Sequence, residues 1–310
     1  MRLRGFVFIN LIILILVFLI PANTCSVRKV RVGVVFSSSI PYYEELHRLF
    51  LKNLKNSLSG VEPEFILQKP NPDPLAWSNA IRKLLVYDSE VLILYGSGAL
   101  NSALMEDVDV PVLFAGLHEV KLKKKKNNIS GVFTSIHLSS VLRYMKELKR
   151  ISHLDIVFSE IEPSSRAEAE ELKGLCKEFS LNCSLHGISD YESLGRYSKD
   201  VRADGVFLSE SALIEKYLPE YLSGFISKRI PLVSTMPGLE NSTVFTLKPD
   251  IVSEAGELSR LFIDTIKKTK TTNRIVRVKK SRLTFNFGLA KSLNTALPTR
   301  LISSADEVIK

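Results

Sequence analysis

Histidine, cysteine and tryptophan are scarce in this sequence of 310 residues, which has five histidines, three cysteines and one tryptophan. The histidines are scattered, with no H-E-x-x-H or H-x-H pair, and neither Cys176 nor Cys183 stands at metal-ligand spacing from a histidine. Zinc sites need several such ligands close together. The sequence therefore predicts no metal site.

Enzyme and nucleotide-binding motifs are also missing. The turn GSGALN at residues 96–101 lacks the third glycine of a dinucleotide loop, and no Lys-Ser or Lys-Thr pair follows at P-loop spacing. No G-x-S-x-G nucleophile elbow occurs, and the sequence proximity of Glu160 and Glu162 does not make them an acid–base pair. We therefore expect no enzyme and no cofactor. Ser97 and Gly98 are interpreted as the start of a helix whose N-terminus faces a cleft.

The formal net charge is +9, and the basic residues are clustered in three runs. The runs are Lys121–Lys126 (KLKKKK), Lys267–Lys270 and Arg274–Arg282. No aromatic residue interleaves the first run, so no base-stacking platform is predicted. We expect a solvated loop near anionic lipid and no nucleic-acid partner.

The N-terminus has the order of a secretory signal. Arg2 and Arg4 precede an apolar run from Phe6 to Ile20, and Pro21 ends this run. The run is short for a membrane span, which needs about 20 residues, so residues 1–25 are either a cleaved signal or an uncleaved anchor. Cys25 raises lipid attachment as a third possibility, although Thr24 precedes it. In each case we expect an exported protein, in the periplasm or on the outer face of the cytoplasmic membrane.

Beyond this segment, short apolar runs alternate with helical patterns. Continuous apolar runs such as Val91–Tyr95 and Val110–Ala115 are typical of strands covered on both faces. The alternation restarts at Leu154–Phe158. Two such sets predict an α/β fold with two doubly wound parallel-sheet lobes and a ligand cleft between them.

Ligands of such sheets lie beyond the carboxyl ends of the strands. The residues at those positions are mostly hydroxyls and glycines, which bind by hydrogen bonding, with Tyr42 and Met236 offering apolar contact. Serines there are also ordinary helix N-caps, and this alternative stays open for each of them. The predicted ligand-binding residues are Ser39, Tyr42, Ser97, Gly98, Gly116, His118, Ser159, Ser164, Ser165, Ser209, Glu210, Ser211, Thr235 and Met236.

Cys176 and Cys183 are expected to face one core. Cys176 lies on the apolar stripe of a predicted helix, and Cys183 has the inward parity of the next strand. An exported compartment permits a disulfide between them. Two buried free thiols are the alternative.

The tail FNFGLAKSLNTALPTRLISSADEVIK (Phe285–Lys310) resembles the C-terminus of ABC-transporter substrate-binding proteins with the periplasmic-binding-protein type I fold, in the branch associated with tryptophan and tyrosine uptake. The shared order is a strand, a helix containing Ala290-Lys291, the turn Leu297-Pro298 and the segment Ala305–Ile309. VPVLFAG at 110–116 and SSRAEAEELK at 164–173 extend the similarity over nearly the whole exported chain.

The resemblance implies a monomer that closes on a small-molecule ligand, such as an amino acid, and delivers it to an ABC permease in the membrane. It also implies three crossings between the lobes. We place the first lobe at 29–137 plus 249–270 and the second at 138–248 plus 271–310. A sensory module that hands its signal to a membrane signalling protein is the alternative function.

Departures from the family pattern concern the ligand. Residues His118-Glu119-Val120 stand where the family usually has Thr-Asp-Pro, and Ser159 stands where it has Asn. The family's aspartate for a ligand ammonium group is missing, and Glu210 is the obvious replacement, with Glu160 as a second. The alternative for Glu210 is that it only favours the N-terminus of the next helix.

Overall fold

The computed structural model of the protein describes residues 27–55, 57–58, 60–122, 127–148, 151–267, 273–295 and 298–310. The predicted signal segment with Cys25, residues 123–126 of the lysine run and residues 268–270 of the next basic run lie outside the described residues. Within the described part of the chain, no helix combines the length and the apolar character that crossing a membrane requires.

The chain forms two α/β lobes, and its elements are numbered in chain order. The first lobe has a six-stranded sheet in the order β11-β5-β4-β3-β1-β2, with all neighbouring strands parallel. Its strands are β1 (Arg28–Phe36), β2 (Val61–Gln68), β3 (Val91–Tyr95), β4 (Val112–Ala115), β5 (Ile129–Thr134) and β11 (Ile275–Val278). Its helices are α1 (Pro41–Leu54), α2 (Pro74–Val86), α3 (Ser97–Met105) and α8 (Ile251–Lys267).

The second lobe has a seven-stranded sheet in the order β13-β12-β10-β9-β8-β6-β7, in which only β10 and β12 pair antiparallel. Its strands are β6 (His153–Ser159), β7 (Asn182–Ile188), β8 (Gly205–Leu208), β9 (Leu232–Ser234), β10 (Phe245–Pro249), β12 (Ser281–Asn286) and β13 (Glu307–Ile309). Its helices are α4 (Leu138–Leu148), α5 (Pro163–Leu175), α6 (Tyr191–Asp200), α7 (Ala212–Ser227), α9 (Phe287–Ser292) and α10 (Thr299–Ser303).

Local sequence explains the regular elements. Every residue of β3 (VLILY) and β4 (VLFA) is buried, as expected for strands covered by helices on both faces. Asp73 caps the start of helix α2, since its side chain accepts a hydrogen bond from the backbone N–H of Ala76. Pro74 is the first helical residue, a position where a backbone N–H would have no partner within the helix. The predicted α/β fold with two parallel-sheet lobes is confirmed.

Two helices, α4 and α6, are absent from the sequence-based prediction. Helix α4 buries Leu138, Val141, Leu142 and Met145 at helical spacing, a pattern that the sequence does contain. Helix α6 is mostly polar and buries only Leu194, Gly195 and Ser198, and a capping box at Asp190 fixes its start. Short polar helices of this kind are recognised by their caps rather than by periodicity.

The chain passes between the lobes at residues 135–137, at Asp250 and at residues 279–280. The third crossing differs from the prediction, which assigns residues 271–310 to the second lobe. Strand β11 instead pairs in parallel with β5 at the edge of the first sheet. Its alternation of charged and apolar residues suits the edge of either sheet, so pattern alone does not choose between them.

Asp250 ties two of these crossings together. Its carboxylate accepts hydrogen bonds from the backbone N–H of Ser253 at 2.9 Å and from Arg282 Nε at 3.0 Å, and Lys280 Nζ lies 3.3 Å away. Burial raises the pKa of Asp250, but the hydrogen bonds from Ser253, Arg282 and Lys280 outweigh burial and hold this pKa at about 2. An ionised, buried carboxylate therefore holds together the second and third crossings, which are part of the hinge between the lobes.

The second lobe contains the disulfide that the sequence permits. Cys176 follows α5, Cys183 lies in β7, and their sulfurs are bonded, with Cα atoms 6.3 Å apart. The bond closes a short loop, since the two cysteines are seven positions apart in sequence.

Breaking this disulfide is expected to lower the free energy of unfolding by about 2–3 kcal/mol, because a cross-link over a short loop removes conformational entropy from the unfolded chain. Urea unfolding with and without a reductant measures the effect. The double variant Cys176→Ala/Cys183→Ala is the control, since a reductant should not change its unfolding midpoint. Identical midpoints of the parent protein in both conditions would contradict the prediction.

Candidate functional site

Residues that follow strand ends in one lobe bond directly to their counterparts in the other lobe. Ser97 follows β3, and its hydroxyl oxygen accepts hydrogen bonds from the backbone N–H and the hydroxyl of Ser164, at 3.2 and 2.8 Å. Ser97 begins α3 and Ser164 lies in the first turn of α5. The positive N-termini of two helices therefore meet across the interface between the lobes.

His118 is the centre of a second contact between the lobes. Its backbone N–H donates to Glu210 Oε1 at 3.0 Å, its Nε2 lies 3.2 Å from Glu171 Oε2, and its Nδ1 lies 3.9 Å from Glu168 Oε1. Burial lowers the pKa of the imidazole, but Glu171, Glu168 and Glu210 outweigh burial and raise this pKa to about 9. His118 is thus a buried cation of the first lobe, surrounded by carboxylates of the second.

Glu168 and Glu210 share one hydrogen-bonded network. Glu168 accepts from the backbone N–H of Glu210 at 2.6 Å and from the Thr235 hydroxyl at 2.6 Å. Glu210 also accepts from the Thr134 hydroxyl of the first lobe, at 3.4 Å. Burial, followed by the repulsion between the two carboxylates, raises the pKa of Glu210 well above its usual range. The Glu210 side chain therefore bridges the lobes and does not cap α7.

Glu254 lies in the first turn of α8 and is fully buried in the first lobe. It accepts a hydrogen bond from the Tyr42 hydroxyl at 2.7 Å and one from the backbone N–H of Gly116 at 2.6 Å. Burial raises the pKa of Glu254 to about 7, although both hydrogen bonds favour the ionised form. This carboxyl group therefore titrates near neutral pH.

Glu162 has a structural role. Its carboxylate accepts from the Ser211 hydroxyl at 2.5 Å and from the backbone N–H groups of Ala212 and Leu213 at 2.9 and 3.2 Å. These donors form the start of α7, where a negative charge is favourable. Glu162 is thus satisfied inside the second lobe.

Glu215 differs from the other buried carboxylates. It lies in the first turn of α7 with 5% of its surface exposed, and neither of its oxygens has a hydrogen-bond partner among the described residues. Burial, followed by repulsion from Glu240, raises its pKa well above the usual range.

Seven of the predicted ligand-binding residues lie at the interface between the lobes or contact the carboxylates buried there. These residues are Tyr42, Ser97, Gly116, His118, Ser164, Glu210 and Thr235. A second part is buried and bonded within the second lobe. These residues are Ser159, Ser165, Ser209, Ser211 and Met236.

Three other candidates lie elsewhere. Ser39 is exposed and donates to Glu44 at 3.1 Å, and the exposed Glu160 packs against Gly187. Gly98 lies under the ring of Trp77, where a side chain would collide with that ring. Each of these contacts is with a residue of the same lobe.

Sequence reasoning missed Glu168, Glu215 and Glu254. Each lies in the first two turns of a helix that directly follows a strand. A glutamate at such a position is usually interpreted as a helix-favouring residue on a solvated face. The available signal was its place on the same helical face as apolar neighbours, as for Glu254 beside Leu258 and Leu261.

The described residues show no group suited to metal binding, and one serine–histidine–aspartate group among them lacks the geometry of a catalytic triad. No three of their His, Cys, Asp or Glu side chains converge where they could hold a metal ion. In the second lobe, Ser184 Oγ and Asp155 Oδ1 lie 3.3 and 3.0 Å from the same atom, Nε2 of His153. A Ser-His-Asp triad needs the serine and the aspartate on different ring nitrogens.

Comparisons with known proteins identify the fold. No protein-family model and no curated protein sequence matches this chain. An ABC domain from Streptococcus pneumoniae, solved in complex with L-Trp, is similar in structure with a TM-score of 0.80 and 15% identity, over 91% of this chain and 100% of the other. An ABC transporter solute-binding protein from Bacillus halodurans with bound myo-inositol has a TM-score of 0.60 and 11% identity, over 86% and 98% of the two chains.

Transcription regulators share this architecture. The regulator CcpA of Lactococcus lactis is similar with a TM-score of 0.62 and 13% identity, over 83% of this chain and 97% of the other. At these identities the similarity shows the fold alone. The chain has the type I periplasmic-binding-protein fold, which solute-binding proteins of ABC transporters share with LacI-type regulators.

Proposed function

We propose that the protein is an exported solute-binding protein of an ABC importer, which closes its two lobes on a small organic solute carrying a protonated amine and delivers it to a membrane permease. One observation carries the proposal. Glu168, Glu210, Glu215 and Glu254 are all buried at or beside the interface between the lobes, and His118 is the buried cation among them.

The charge balance favours a cationic solute. Burying a carboxylate is strongly unfavourable unless a cation or several donors compensate it. Burial raises the pKa of all four carboxyl groups. The cations and hydrogen-bond donors of the protein therefore do not fully offset the unfavourable burial of the ionised carboxylates. An ammonium group between the lobes would supply the missing positive charge, whereas a further anion would add to the repulsion.

Other observations support transport. The N-terminal sequence has the order of an export signal, and the fold neighbours include transporter proteins with a bound amino acid or a bound polyol. A monomer with one ligand site and a permease as its partner follows from this role. Adjacent genes for a permease and an ATPase are the expected genomic context, whereas a lone membrane signalling gene would favour the sensory alternative.

A panel of amines and amino acids is expected to stabilise the protein in a thermal shift assay, whereas small carboxylic acids are not. A ligand at 100 times its dissociation constant adds about 2.7 kcal/mol to the free energy of unfolding. The protein must first be unfolded, dialysed and refolded to remove co-purified solute. A shift with neutral or anionic solutes only, or with no member of the panel, would contradict the proposal.

A further inference from the structure

A cavity of about 280 Å³ lies between the lobes on the side of the hinge. The first lobe contributes Pro41 and Tyr42 from the start of α1, and the second contributes Pro237 and Gly238 from the loop after β9. Asp250, in the second crossing between the lobes, lines the cavity on its hinge side. The volume is just below the usual range for small-molecule sites, which is about 300–1,000 Å³.

The unpartnered carboxylate of Glu215 lies directly behind this wall. A Cβ atom at Gly238 would collide with Glu215 Oε1, so the carboxylate contacts the backbone of a residue that lines the cavity. Gly238 also has a φ of +99°, a conformation that glycine adopts without strain. The backbone N–H of Tyr42, another lining residue, is near Glu215 but does not reach hydrogen-bond geometry.

The wall of the cavity is acidic. Its carboxylates are Glu45, Glu240, Asp250 and Glu307, and its cations are Lys248 and Arg282. Both cations are already paired, since Lys248 Nζ lies 2.6 Å from Glu240 Oε1 and Arg282 Nε lies 3.0 Å from Asp250 Oδ2. Among the described residues of the wall, none is an unpaired cation that would receive a ligand carboxylate.

We propose that this cavity receives the ammonium group of the solute, that Glu215 is the carboxylate that anchors it, and that the solute is a small amine with a net positive charge. The inference deepens the proposed function and rests on it. A zwitterionic amino acid would bring a carboxylate into an acidic wall, whereas an amine without a carboxyl group would not. The side chain of Glu215 would reach the solute past the bare Cα of Gly238.

A structural role for Glu215 is the competing explanation. Helix α1 begins after Ile40 without a side-chain cap, and Tyr42 is in its first turn. A negative charge near this N-terminus would favour α1. In that case Glu215 stabilises contact between the lobes and needs no solute.

Two substitutions separate these explanations. Glu215→Gln removes the charge at constant size, and Glu215→Met replaces the carboxylate with an apolar side chain of similar volume. Glu220→Gln, on the exposed part of the same helix, is the matched control. Calorimetric titration uses two pairs of probes that differ in one carboxyl group, cadaverine with lysine and tyramine with tyrosine, and thermal unfolding is measured on each protein without solute.

We expect at least one of the two amines to bind the parent protein, more tightly than its parent amino acid. Binding should weaken by about 100-fold or more in both Glu215 variants and not in the control. Without solute, Glu215→Met should unfold a few degrees higher than the parent at pH 8, because a buried carboxyl group without hydrogen-bond partners has been replaced by an apolar side chain.

Opposite results are equally specific. A lower unfolding temperature of both Glu215 variants would assign Glu215 to α1 and overturn the site. Equal binding of an amine by the parent and the variants would also overturn the site, while the proposed function would stand. If lysine or tyrosine binds while the corresponding amine does not, or if neither amine binds, the proposal of a net-positive ligand would be overturned.

Discussion

His118→Gln is expected to destabilise the closed arrangement of the lobes by about 3–5 kcal/mol, which is the usual effect of removing one partner from a buried ionic network. The substitution leaves Glu168 and Glu210 buried without the cation that faces them from the first lobe. Glu171 should matter less, because its side chain is 54% exposed. Urea unfolding measures the change in stability, and small-angle X-ray scattering measures the opening as an increase in the radius of gyration.

The effect of His118 should depend on pH in a defined direction. The folded protein raises the pKa of His118 from its ordinary value of 6.5 to about 9. A raised pKa contributes stability that is fully present below pH 6.5 and is lost as the pH rises through 9. The difference between parent and variant should therefore shrink above pH 9. His137→Gln is the control, since His137 is exposed, and equal effects of the two substitutions would contradict the assignment.

The second large effect concerns Glu254. Its pKa in the folded protein is about 7, against an ordinary value of 4.5, because the carboxyl group is buried. The protonated form is favoured by folding, so this stabilisation is fully present below pH 4.5 and is lost as the pH rises through 7. The shift corresponds to about 3 kcal/mol at most. The solute-free protein should therefore be less stable at pH 8 than near pH 5.

Glu254→Gln should flatten this pH dependence, because the variant has no proton to lose at that position. Urea unfolding at several values between pH 4.5 and 8 measures it. Glu257→Gln is a matched control on the same helix, where the carboxylate pairs with Arg260 at 3.2 Å. An unchanged slope in the Glu254 variant would show that other groups set the pH dependence.

Sequence patterns were sufficient for the lobes and most of their elements. In strands such as VLILY every side chain is apolar, so both faces of the strand must be covered, as in a sheet with helices on both sides. The expectation that ligands lie beyond the carboxyl ends of the strands also led to Glu210 and His118 at the interface, since it depends only on strand direction. The lobe of strand β11 was predicted wrongly, because IVRV is an edge strand and edge positions accept charged residues in either sheet.

The acidity of the site could not be predicted in the same way. Glu168 and Glu215 come from two helices of the second lobe and Glu254 from a helix of the first, so they lie near one interface only when the two lobes close. Glutamate favours helices and their first turns, so each of these residues is consistent with its local sequence without any ligand. Only burial and the lack of donors, as at Glu215, separate a site residue from an ordinary helical glutamate.

The chain order of the sheets has a consequence for folding. Helix α8 and strand β11 complete the first lobe, and β12 and β13 complete the second, so residues 251–309 contribute to both. Strand β5 pairs with β4 on one side, but its partner on the other side is β11, far later in the chain, where Val276 pairs with Val132. Such distant pairings raise the contact order and slow folding. A chain cut at residue 250 would have two incomplete sheets, and neither lobe should fold before almost the entire polypeptide is available.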